Sequence, residues 1–177
     1  MKALRYTFAS RLLAAGLLVL MSLPLGAASD PLTNIRQFLQ QGQYDKALPR
    51  LNSFLKEHPK HAEARFLKGL ALAEQGETEQ AKAIFLALTG DYPDLPEPYN
   101  NLAVLYAADG EYALARNSLV QAISNHPSYA TAHENLGDIY ARMAGQSYER
   151  AGKLGPTNTT ASEKREMIDK LLAPAPK

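Results

Sequence analysis

Four histidines and 18 carboxylates are the groups most able to do chemistry in this 177-residue chain, which has no cysteine. Without thiols there is no thiolate nucleophile, no disulfide and no cysteine-ligated zinc. His58 and His126 each stand directly before a proline, Pro59 and Pro127, and His61 falls in the linker after the first of them. His133-Glu134 opens like the zinc-binding H-E-x-x-H helix, whose second histidine must fall four residues on to share a face. That position holds Gly137, so no metal pair forms. No serine elbow, phosphate-cradling glycine loop or dinucleotide fingerprint occurs. Gly42, Gly76 and Gly110 lie too far apart to cradle one phosphate. The carboxylates are scattered over helix positions that should face solvent. These residues predict no catalytic centre, no metal and no cofactor; the chain reads as something other than an enzyme, with no small-molecule substrate.

The elements that would position these groups begin after an address. Lys2, Arg5 and Arg11 precede the apolar run from Leu12 to Met21, Pro24 breaks any helix, and Gly26-Ala27-Ala28 offers small residues to a signal peptidase. A basic start, a short apolar run and a small-residue exit are the parts of a secretory signal, so residues 1–28 are expected to be cleaved, leaving a chain that starts at Ser29. The alternative is an uncleaved inner-membrane anchor facing the periplasm. The run is short for a span, which needs roughly 20 apolar residues, and a lipid anchor would need a cysteine at the cleavage point. No later segment reads as a membrane span, so the expected location is the periplasm. Lys and Arg number 19 against 18 Asp and Glu, for a net charge of +1. Such a balance gives no grip on a phosphate backbone, which makes nucleic acid a poor partner.

Self-comparison then shows a period. Pro59, Pro93 and Pro127 are 34 apart, as are Gly42, Gly76 and Gly110, and Ala47, Ala81 and Ala115. Leu51, Phe85 and Leu119 follow, each four residues after its alanine. A glycine can end a first helix in a left-handed conformation, and a proline stops a second one. The alanines let two helices approach, Tyr44 and Tyr112 can plug the turn, and Leu51, Phe85 and Leu119 fill the space between hairpins.

A period of 34 with helical patterning resembles the tetratricopeptide repeat (TPR). Tyr99-x2-Leu102-Ala103-x2-Tyr106, Ala115-x3-Leu119 and Pro127 are similar to the family pattern, with weaker first helices in the two preceding repeats. The resemblance implies an all-α, right-handed superhelical solenoid of helical hairpins, of an exported bacterial type. The expected plan is repeats at about 28–61, 62–95 and 96–129 and a degenerate one at 130–156, making a TPR domain over 29–156. A capping helix over 157–172 and a disordered tail over 173–177 complete it.

The fourth repeat departs from the others. His133-x2-Leu136-Gly137-x2-Tyr140 opens it in register, and Ala144, Tyr148, Ala151 and Pro156 match second-helix landmarks. Yet Tyr106 to Ala115 is nine residues, whereas Tyr140 to Ala144 is four, so the five residues that made the turn are missing. Leu136, Tyr140, Ala144, Tyr148 and Ala151 then form one helical stripe, which predicts a single fused helix over 130–154, on the order of 36 Å long, with a kink at Gly145 as the competing reading. Gly155-Pro156 should end it, Asn158-Thr159-Thr160 should form a polar loop, and Thr160 with Glu163 is spaced as a capping box for a last helix over 161–172. That helix caps the stack or, with the fused helix, offers a docking or dimerisation surface.

The resemblance also implies that first helices line a concave groove that holds a partner peptide or helix. The positions expected to face it are Arg36, Phe66, Leu70, Asn100, Asn101, Val104, Glu134, Asn135 and Asp138. Phe66 and Leu70 would be apolar, the asparagines could pair with a ligand backbone or serve the hairpin itself, and Glu134 and Asp138 would suit a basic group. The chaperone-type carboxylate clamp is not matched, since its places hold Leu32, Arg36, Leu67, Glu97 and Asn101. The expected function is a periplasmic adaptor or scaffold that binds a protein and helps assemble or regulate a cell-envelope complex. The alternative is a holdase-like chaperone or a self-associating structural protein acting through its C-terminal helices, including as a homodimer.

Overall fold

A computed structural model describes residues 30–155, 157 and 159–173. The expected signal over 1–28, Pro156, Asn158 and residues 174–177 of the tail lie outside them. The described residues form eight α-helices and no strand: α1 Thr33–Gln40, α2 Tyr44–Glu57, α3 Ala62–Glu74, α4 Thr78–Asp91, α5 Pro96–Ala108, α6 Tyr112–Asn125, α7 Ala130–Leu154 and α8 Thr159–Leu171. Neighbours in sequence are neighbours in space, which is the arrangement of a stacked solenoid.

The punctuation seen in the sequence sets the hairpins. Gly42, Gly76 and Gly110 have φ of 67°, 82° and 82°, the left-handed region that only glycine enters without strain. Each sits in a Schellman motif: Gln43 N–H donates to the Phe38 carbonyl at 2.8 Å, Glu77 to Leu72 at 2.9 Å and Glu111 to Tyr106 at 2.9 Å. At the other end, His58, Tyr92 and His126 leave the helical region with φ of −127°, −137° and −140°, because each precedes a proline. The linkers are tied across repeats. The Tyr92 hydroxyl donates to the Lys60 carbonyl, and Asn125 Nδ2 to the Pro93 carbonyl at 2.6 Å. His61, expected as a plain linker residue, caps α3 by accepting from Ala64 N–H at 3.3 Å.

Two apolar clusters run through the stack. One joins Ile35, Leu51, Leu67, Leu70, Phe85, Leu88 and Leu102; the other joins Ala103, Leu119, Ala122, Ala132 and Ile139. Phe85 is fully buried, and its ring lies where a side chain on Gly69 would be: a Cβ there would stand 2.7 Å from Cε1. The third repeat makes the opposite division, Ala103 with Leu119, so glycine faces the larger side chain and alanine the smaller.

The fused helix is present as expected. α7 runs unbroken through 25 residues, so the chain does not break at Gly145. Gly145 is buried where α8 crosses: a Cβ would meet Ile168 Cγ2 at 3.2 Å, so glycine there allows a close helix approach. α8 follows as the capping helix, further held by Arg165, which bridges Glu149 on α7 and Asp169. One local expectation changes. α8 begins at Thr159, so Thr160 is inside the helix and cannot be the N-cap of a box with Glu163. His133 is exposed and donates from Nε2 to the Pro127 carbonyl at 2.8 Å.

Candidate functional site

First helices α1, α3, α5 and α7 carry the expected groove positions. Arg36 on α1 is engaged within the chain: it pairs with Asp30 and, through Nε and Nη2 at 2.8 and 2.6 Å, with Glu63 on α3. This pairing holds the Asp30 carboxyl low, second to the Leu32 N–H that it accepts. Arg36 therefore joins the first two repeats, and Glu63 is a partner that the sequence reading missed. Phe66 is half-buried, its ring 5.6 Å from that of Phe85, and Leu70 is buried in the same cluster.

The asparagines divide by role. Asn101 Nδ2 donates to the Glu97 carbonyl four residues back at 2.9 Å, so it serves its own helix. Asn135 on α7 reaches across to α5, where its Nδ2 donates to Asn100 Oδ1 at 2.9 Å. Asn100, Asn101 and Asn135 are all 97–98% buried, at 2%, 2% and 3% exposure. The structure thus joins Asn100 and Asn135 to each other as an inter-repeat tie. Val104 is buried as well. Asn135 Oδ1 and the Tyr129 hydroxyl are buried with no hydrogen-bond partner, and burial with the nearby Glu97 charge pushes Tyr129 up to about 12.

Glu134 is exposed and Asp138 half-buried one turn further along α7. Burial raises the Asp138 carboxyl above its ordinary range; Arg142 opposes this and Glu134 adds to it. Glu97, Tyr129 and Arg142 escaped the list of expected positions, although Glu97 lies one turn before Asn100 and Arg142 one turn after Asp138. That i, i+3 and i, i+4 spacing is the signal that could have found them. A separate open cleft of about 430 Å³ lies between α1 and α2, lined by Pro31, Ile35, Pro49 and Phe54 among others. Among the described residues no cluster of three or more His, Asp or Glu is placed to hold a metal, and no helix is long and apolar enough to cross a membrane.

A row of hairpins whose first helices are tied side by side defines a scaffold for protein–protein interaction. The chain belongs to the tetratricopeptide repeat family, which matches residues 32–96 and 100–155. It is 30% identical over 84 residues to the Tetratricopeptide repeat domain-containing protein PYG7, chloroplastic, of Arabidopsis thaliana, across 45% of this chain and 28% of that one. It is 31% identical over 77 residues to the uncharacterized protein ycf37 of Pyropia yezoensis, across 41% and 43%. The match thus spans less than half the length of either relative. Among solved structures it is similar to MamA, with a TM-score of 0.57, 20% identity, and 77% and 82% of the two chains covered. The first TPR domain of human RPAP3 gives 0.61 at 14% identity over 67% and 98%. A thermophilic TPR protein of Thermus thermophilus gives 0.59 at 24% over 78% and 79%. At these identities the structural likeness shows the fold.

Proposed function

We propose that this chain is an exported, non-catalytic adaptor that holds a segment of a partner protein against its first helices and serves a cell-envelope complex. The first helices are continuous neighbours. Arg36–Glu63 joins α1 to α3, one apolar cluster takes in Leu67 and Leu70 on α3 with Leu102 on α5, and Asn100–Asn135 joins α5 to α7, so an extended or helical segment can lie along them. Phe66 supplies half-buried apolar surface toward one end. Glu134 and Asp138 supply carboxylates at the other, where burial raises the Asp138 carboxyl and a basic residue of the partner would favour its charged form. The tightly buried asparagines set the spacing of the helices, and Phe66, Glu134 and Asp138 make the contacts.

Export rests on Lys2, Arg5 and Arg11, the apolar run that follows, and Gly26-Ala27-Ala28. Fractionation of cells expressing the chain at native level, with mass spectrometry, should find it in the periplasm beginning at Ser29. A tagged chain should co-purify an envelope protein, and Glu134→Lys with Asp138→Lys should reduce that recovery several-fold at unchanged helicity. Retention of the full-length chain in the cytoplasm would refute export. Recovery unaffected by the charge reversal would refute this surface.

A further inference from the structure

The fourth repeat has the first half of a hairpin without its second half. In the second and third repeats the face of the first helix is closed by the returning helix: Gly69 lies under the Phe85 ring, and Ala103 is buried in the same cluster as Leu119. On α7 the equivalent Gly137 is exposed and a Cβ there would meet nothing within 4 Å. His133 and Tyr140 beside it are exposed too, Tyr140 by 52%. The chain still contains residues in second-helix register, Ala144, Tyr148 and Ala151, but with the turn deleted they continue along α7 instead of folding back. They are only partly covered, because α8 crosses over Gly145 and Gly152 on the adjoining stripe.

We propose that a second copy of this chain supplies the missing helix, its α7 lying antiparallel along this α7 in a two-fold domain-swapped dimer. His133, Gly137, Tyr140, Ala144, Tyr148 and Ala151 follow spacings of 4, 3, 4, 4 and 3 and share one face. The hairpin register is transferable: Gly69 meets Phe85 within a repeat, and the matching positions in the fourth are Gly137 and Tyr148. Applied between two copies, it sets Gly137 against Tyr148, Ala144 against Tyr140 and Ala151 against His133. Each pair opposes a small residue to a ring, and each occurs twice, as a self-complementary two-fold interface requires. A turn too short to let a segment fold back is the standard cause of such an exchange. This interface is independent of the groove reading, since the stripe lies on the hairpin side of α7 and Glu134 and Asp138 are not part of it.

Light scattering on the purified chain tests it, and two variants with a set of cysteine cross-links locate the interface. The wild-type chain should have twice the monomer mass. Tyr140→Glu should halve it with helicity kept. Replacing Ala141-Arg142-Met143 by a copy of the eight residues 107–114 restores the turn and should also yield a monomer, because α7 can then close on itself. Mixed chains carrying Gly137→Cys and Tyr148→Cys separately should form an inter-chain disulfide, which Val120→Cys mixed with Tyr148→Cys should not. A wild-type monomer at every concentration would overturn the proposal. So would a dimer that survives both Tyr140→Glu and the restored turn, or one that forms no Gly137→Cys to Tyr148→Cys cross-link.

Discussion

Phe85→Ala should destabilise the chain by about 3–5 kcal/mol, the usual cost of removing a fully buried phenylalanine and leaving a cavity. The ring is fully buried, touches Phe66, and lies over the bare Gly69 backbone. Gly69, the residue facing the ring, has no side chain with which to fill the space. The loss is a large fraction of the roughly 5–15 kcal/mol that holds a domain folded, so chemical denaturation followed by circular dichroism should show a sharply lowered midpoint. The converse substitution makes the account specific. Gly69→Ala sets a Cβ 2.7 Å from the ring edge and should cost about 1–3 kcal/mol through overpacking, although alanine is the better helix former by about 1 kcal/mol. Adding Phe85→Leu to Gly69→Ala should recover part of the loss, since Ala103 and Leu119 already pack that way in the next repeat. Costs that simply add in the double variant would mean that the two residues do not meet.

Asn135→Asp should cost about 2–4 kcal/mol at neutral pH. The substitution keeps the shape of the side chain but sets a carboxylate, 97% shielded from water, against Asn100 Oδ1, which is itself an acceptor. Burial without a donor raises a carboxyl by about 2–3 units, at about 1.4 kcal/mol each. The folded-state pKa then lies above the unfolded value of about 3.9, so the penalty is absent below that pH. It grows as pH rises through the interval between the two values and is constant above it. Asn135→Ala removes the donor and should cost about 1–3 kcal/mol with no such pH dependence. Denaturant midpoints from pH 3 to 8 separate the two; parallel profiles for both variants would show that the tie is not where the charge is felt.

The fold was legible in the sequence because its landmarks act locally. A glycine that must be left-handed and a residue forced out of the helix by the next proline mark Gly42, Gly76, Gly110, Pro59, Pro93 and Pro127 whatever their surroundings. The fused α7 was legible for the same reason, since a missing turn is a matter of spacing. What escaped depends on contacts between repeats. Gly145 looked like a weak point because its value lies in how closely α8 can approach, which the spacing of α7 alone does not contain. Thr160 matched a capping box, yet the helix starts one residue before it. The surface was legible only as a set of positions. Which of them stay open was decided by pairings such as Asn100 with Asn135 and Arg36 with Glu63, between residues 35 and 27 apart.

A partner protein lying along the first helices can be caught there by photocrosslinking in cells. A photoreactive residue is placed singly at Phe66 and Glu134 on first helices, and at Leu86 and Val120, which are exposed on second helices, with the chain at native level. Phe66 and Glu134 should capture the same protein, identified by mass spectrometry, and Leu86 and Val120 should not. Capture at Leu86 or Val120 alone, or at none of the four, would contradict this placement.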